Sequence, residues 1–191
     1  PPRAMKSFSS VEELHKLFLL RDRGKRCSWP KTHPGSRTDG LEHANKSRFL
    51  NVLGGPGAGK STFLRRLGLE ALLPRRTWSA PLLESLGLGA STPSRYEHDC
   101  LPVLIELRRF RTDALDLTLL IQNELAICGL PESGELIKTL LEEGRLLILL
   151  DGVDEIPDCQ LDKAISHMSD FVDRYSGNHF VISCRTAFYK G

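Results

Sequence analysis

The chain has 191 residues, enough to bury a sizeable core and close to one domain at roughly 150 residues per domain. Its 26 Lys and Arg stand against 24 Asp and Glu, a formal net charge of +2, and 40% of its residues are hydrophobic. That balance excludes a polyanion binder working by bulk charge and a disordered, charge-driven chain, and no run nears the roughly 18 apolar residues of a membrane-spanning helix.

The start, Pro1-Pro2-Arg3-Ala4-Met5-Lys6, leads into an amphipathic segment and not into the apolar core of a secretory signal. Without an initiator Met it reads as a piece of a longer chain. The five cysteines, Cys27, Cys100, Cys128, Cys159 and Cys184, are odd in number and none forms a CxxC pair. Reduced thiols and a cytoplasmic location are therefore expected, with neither a disulfide framework nor a zinc site.

Residues 9–20 predict a short helix, with Ser10 and Glu13 as a capping box and Val11, Leu14, Leu17 and Phe18 on one face. Residues 21–47 read as loop, punctuated by Gly24, Pro30, Pro34, Gly35 and Gly40. Residues 21–48 carry eight basic side chains against three acidic ones. With almost no aromatic platforms and no regular face, this is a solvated linker before it is a nucleic-acid surface. Residues 1–45 thus form an N-terminal helix and basic linker, and 46–191 the main domain.

Arg48–Leu53 reads as a buried strand and 54–59 as a glycine-rich turn. A helix follows from Lys60 to about Leu72, with Phe63, Leu64, Leu67 and Ala71 on one side and Pro74 beyond its end. Residues 75–100 form a loop-rich insertion with one short helix around 82–86. Leu101–Leu107 is a second strand. Helices are expected over 116–128, through Leu117, Leu120, Ile121 and Leu125, and over 132–143, through Leu136, Ile137, Leu140 and Leu141. Arg145–Leu150 is the most hydrophobic run and reads as a central parallel strand. A helix over 159–175 buries Leu161, Ile165, Met168 and Val172, and Phe180–Ser183 is a further strand. Strands alternating with helices predict an α/β fold with a mainly parallel sheet.

Gly54-Gly55-Pro56-Gly57-Ala58-Gly59-Lys60-Ser61-Thr62 fits GxxxxGK[ST]. Small residues let the backbone wrap so that several N–H groups face one phosphate chain, and the helix that follows presents a positive end. Lys60 can reach the β- and γ-phosphates, Ser61 can ligate Mg²⁺, and Thr62 can add a phosphate contact. The pattern lies between a strand and a helix, the context this chemistry needs.

A second constellation, Asp151-Gly152-Val153-Asp154-Glu155, follows the most apolar strand. Ligands of open parallel sheets bind beyond the carboxyl ends of strands, which sets Asp151 beside the phosphate loop as a holder of Mg²⁺. A further acid would orient the attacking water. Glu155 is the first choice and Asp154 the second, and spacing does not separate them. Arg185 closes the last strand and could sense the γ-phosphate or stabilise developing charge. Cys184 reads as a small buried residue and not as a nucleophile. His98-Asp99-Cys100 are adjacent in sequence and cannot readily converge on one ion. Trp29 and Trp78 carry no assignable role.

GGPGAGKST, LPVLIELRRF, LLILLDGVDEI and FVISCRT, in this order, resemble the NACHT nucleotide-binding domain of the STAND class of signalling P-loop ATPases. The resemblance covers about residues 46–191. The phosphate motif is shared by many families, whereas the Asp-Gly-x-Asp-Glu segment is much more specific. The resemblance implies a three-layer αβα sandwich of the P-loop NTPase class, with the Arg185 strand between the phosphate-loop strand and the Asp151 strand. It implies an ATP/ADP switch with Mg²⁺ that self-associates on activation and drives innate immune, incompatibility or anti-phage signalling. The family continues into helical and winged-helix domains, before which this sequence stops, so slow or absent turnover is expected of it alone. The family, with the lack of an NKxD motif, also implies adenine over guanine. Two rivals stand beside a slow ATP hydrolase: a nucleotide-gated oligomerisation module with negligible turnover, and a small-molecule kinase, which would need an arginine-bearing lid that the sequence does not supply.

Overall fold

A computed structural model describes residues 39–72, 95–109, 116–130 and 134–187. The expected helices at 9–20 and 82–86, Cys27, Trp29 and Trp78 lie outside these residues.

The chain enters through α1 (Gly40–Lys46), capped by Asp39, whose carboxylate accepts the Leu41 N–H at 3.0 Å. Then come β1 (Phe49–Gly54), α2 (Lys60–Leu72) and β2 (Leu101–Glu106), which ends in a 3₁₀ turn over Leu107–Arg109. Helices α3 (Leu117–Ile127) and α4 (Gly134–Glu142) lead into β3 (Leu146–Asp151). A second 3₁₀ turn, Val153–Glu155, precedes α5 (Asp158–Arg174), and β4 (His179–Arg185) follows.

The strands form one sheet in the order β1-β4-β3-β2, and each neighbouring pair is parallel. The strand bearing Arg185 therefore sits between the strand that leads into the glycine-rich loop and the Asp151 strand, as expected. Leu146–Leu150 are each at most 1% exposed because β3 is interior to the sheet and covered on both faces.

Alternation along the strands divides the core. Leu146, Ile148 and Leu150, with Phe180 and Ile182, face the side packed by α3, α4 and α5. Leu147, Leu149 and Val181 face the side packed by α1 and α2 through Leu41, Ala44, Leu64 and Leu67. The result is a compact α/β domain whose parallel sheet is flanked by helices on both sides. Asn178, fully buried, ties three elements together. Its amide donates to the carbonyls of Leu141 at 2.8 Å and Tyr175 at 2.9 Å, and its oxygen accepts the Leu146 N–H at 2.9 Å.

Three expectations are corrected. The loop read over 21–47 is helical over 40–46. Leu41 and Ala44 pack on the sheet, so burial holds a segment too short to be helical by itself. Of the four apolar residues through which the helix over 132–143 is expected to run, Ile137, Leu140 and Leu141 meet the core, whereas Leu136 is 45% exposed. The last strand is also longer than expected, since its pairing with β1 continues to Gly54↔Arg185. Among the described residues no helix is long and apolar enough to cross a membrane.

Candidate functional site

The strand registers Gly54↔Arg185 and Glu106↔Asp151 bring the carboxyl ends of all four strands to one edge of the sheet. There the loop 54–59 leaves β1 and enters α2. Gly57 at φ +71° and Gly59 at φ +85° occupy the left-handed region, which glycine alone enters without strain. Nothing lies within 4 Å of where a Cβ would stand on either one, so their faces are open. The first turn of α2 begins at Lys60 and leaves backbone N–H groups without intrahelical partners. Lys60 Nζ donates to the carbonyls of Gly54 at 3.0 Å and Gly55 at 3.1 Å, folding its charge over the loop.

A cavity of about 330 Å³ is lined by Pro56, Gly57, Ala58, Gly59, Lys60, Ser61 and Thr62 on one side. Asp151, Gly152, Asp154, Glu155, Ser183 and Arg185 line the other. Apart from Gly54 and Gly55, whose carbonyls accept from Lys60 Nζ, every residue singled out from the sequence for chemistry lines this one cavity.

The two acids left open by spacing are separated by geometry. Asp154 is spoken for: Arg185 Nε lies 2.8 Å from its Oδ2, and the Arg185 backbone N–H donates to its Oδ1 at 3.0 Å. Its side chain is 5% exposed. Glu155 is exposed and lines the cavity without such a clamp. Gly152, at φ +82°, starts the 3₁₀ turn that sends the two acids apart. A Cβ on Gly152 would lie 3.1 Å from the Glu155 carboxyl carbon, which gives a physical reason for a glycine after Asp151.

Ser183 is the residue that sequence reasoning missed. Fully buried on β4, it donates to Asp151 Oδ1 at 2.5 Å and accepts the Gly152 N–H at 2.9 Å. It fixes both the carboxylate and the turn. The signal was available only as position: Ser183 follows Ile182, whose partner on β3 is Leu150, so the two next residues meet. Cys184 behaves as expected for a packed thiol. Burial, helped by the charge of Asp154, pushes it up to about 12. His98 turns away from the site and shares a 2.9 Å hydrogen bond with the Asn45 carbonyl.

A second cavity of about 260 Å³ adjoins the first and shares Ser61, Asp151 and Glu155 with it. Its other walls are Arg65, Glu106 and Arg108. A larger groove of about 500 Å³ runs along α2 and β2 past Gly68, Leu72, Pro102, Leu104 and Leu125, and is mainly apolar.

Comparison with protein-family models, with curated proteins and with solved structures finds no match to the chain.

Proposed function

We propose that the chain is the ATP-binding core of a NACHT-type STAND ATPase, a P-loop NTPase that switches a signalling assembly. One observation carries this reading: the glycine loop with Lys60 and the acids at the end of β3, identified separately in the sequence, line a single cavity. The donor set fits a nucleoside triphosphate. Loop and helix amides, Lys60 and Thr62 bind phosphate oxygens. Ser61 and Asp151 present oxygen ligands of the hard type that Mg²⁺ prefers. When bound, Mg²⁺ supplies charge neutralisation at the phosphates.

Within this reading Ser183 holds Asp151 in one orientation. Lys60 exchanges loop carbonyls for phosphate oxygens. Glu155 accepts a hydrogen bond from water and orients it for attack on the terminal phosphate. Arg185 contributes charge from the opposite wall, restrained by Asp154. As a switch, the domain works by binding ATP and ADP with different affinity in two conformations, and it reports only that difference.

The test is phosphate release from Mg·ATP by the chain beside Lys60→Ala and Glu155→Gln. Loss in both variants is the result expected of a hydrolase with these roles. Lys60-dependent binding without release would favour the nucleotide-gated assembly module. The absence of both in a folded chain would overturn the proposal.

A further inference from the structure

Four cations stand around the two adjoining cavities, Lys60, Arg65, Arg108 and Arg185, and they differ in what holds them. Arg185 is paired with Asp154, which is almost fully buried. Withdrawing it would leave that carboxylate short of its charge partner in a poorly solvated place, which is costly. Arg108 is held by Glu106, which also holds two other arginines. Glu106 Oε1 accepts from Arg65 at 3.2 Å. Its Oε2 accepts from Arg108 at 3.3 and 3.0 Å and lies 3.0 Å from Arg109 Nε. If Arg108 leaves, each oxygen of Glu106 keeps a guanidinium. Arg108 is also 59% exposed, so no packing resists its movement.

We infer that Arg108 distinguishes a nucleoside triphosphate from a diphosphate by leaving Glu106 for the terminal phosphate. The inference rests on the nucleotide reading above. Arg108 shares its cavity with Ser61, Asp151 and Glu155, where that reading places the metal ligands and the water-orienting acid. Before nucleotide enters, Arg108 already feels the charges of Glu155 and Asp151 across this cavity. A terminal phosphate adds negative charge and acceptor oxygens in the same direction, and a planar guanidinium can grip two of them. Glu106 is the positioning residue: its three-way clamp parks Arg108 beside the site and stays compensated when Arg108 departs.

The experiment is calorimetric binding of the Mg²⁺ complexes of a non-hydrolysable ATP analogue and of ADP. The proteins are the chain, Arg108→Ala, Arg108→Lys and Arg109→Ala, each checked for folding by circular dichroism. Arg108→Ala is expected to weaken the triphosphate about tenfold and to leave ADP within about twofold, the loss of one charge-assisted contact. Arg108→Lys recovers part of the loss, because it keeps the charge but not the fork. Arg109→Ala leaves ADP as it was and weakens the triphosphate less than Arg108→Ala does, because Glu106 Oε2 then loses its remaining guanidinium when Arg108 departs. Equal weakening of both nucleotides, no weakening, or an equal effect from Arg109→Ala would overturn the inference alone. A wild-type chain that binds neither nucleotide would overturn the nucleotide reading itself. Should Arg108→Ala fail to fold, Arg108→Gln keeps the stem and carries the same expectations.

Discussion

Arg185 holds Asp154 at two points, by its guanidinium at 2.8 Å and by its backbone N–H at 3.0 Å. The pair joins the end of β4 to the turn after β3. Asp154 is thus a fastening, while Glu155 lines the cavity without such a partner.

Asp154→Ala is therefore expected to lower stability by about 1–2 kcal/mol in urea denaturation, since it strips the Arg185 amide and guanidinium of their acceptor. Glu155→Gln should stay within about 0.5 kcal/mol of wild type, as an exposed substitution does. A larger loss from Glu155→Gln than from Asp154→Ala would reverse the two roles.

Ser183→Ala removes one hydroxyl and two hydrogen bonds inside the fold. The Gly152 N–H is then left buried without its acceptor. The expected loss is about 1–3 kcal/mol. Nucleotide binding by this variant should also need more Mg²⁺, because Asp151 is no longer held. Unchanged stability and unchanged Mg²⁺ dependence would remove Ser183 from the account.

Gly152→Ala tests the turn. Alanine at φ +82° is strained by roughly 1–2 kcal/mol, and its Cβ presses on the Glu155 carboxyl group. Turnover should fall more than Lys60-dependent binding does. Equal losses in both would show that the glycine serves the loop as a whole and not Glu155.

Much of this arrangement is legible in the sequence. The helix expected from Lys60 to about Leu72 is found at those residues, because a glycine turn starts it and an apolar face sustains it. The interior place of β3 follows from an unbroken apolar run. Three things are not legible, each for a physical reason. Helix α1 owes its existence to contacts made by Leu41 and Ala44 with a distant sheet. The different surroundings of Asp154 and Glu155 depend on a 3₁₀ turn and on Arg185, some thirty residues away. The clamp of Arg65, Arg108 and Arg109 on Glu106 joins α2 to the end of β2, and only the fold makes those neighbours.

His179 gives the domain a pH dependence at the opposite end of β4. Its ring is buried against His98, with centroids 4.2 Å apart, and against the edge of Tyr96. Burial first, then the charges of His98 and Arg48, push it from 6.5 down to about 4. Between those values the unfolded chain takes up a proton that the folded chain refuses. Its contribution is present above about pH 6.5 and is lost as pH falls toward about 4, by up to about 3 kcal/mol. His179→Phe keeps the ring and removes the titration. Denaturation midpoints across this range should fall less steeply for the variant than for wild type. Parallel curves would contradict the assignment.

The proposed function stands on the loop 54–62 and the acids after β3 forming one nucleotide site. Equilibrium binding of a fluorescent ATP analogue with Mg²⁺, on wild type and Lys60→Ala at equal concentrations, tests it most directly. Saturable binding by wild type, displaced by unlabelled ATP, is expected, with at least about tenfold weaker binding by Lys60→Ala, the loss of one charged phosphate contact. Binding equal in the two proteins, or none in a folded wild type, would contradict it.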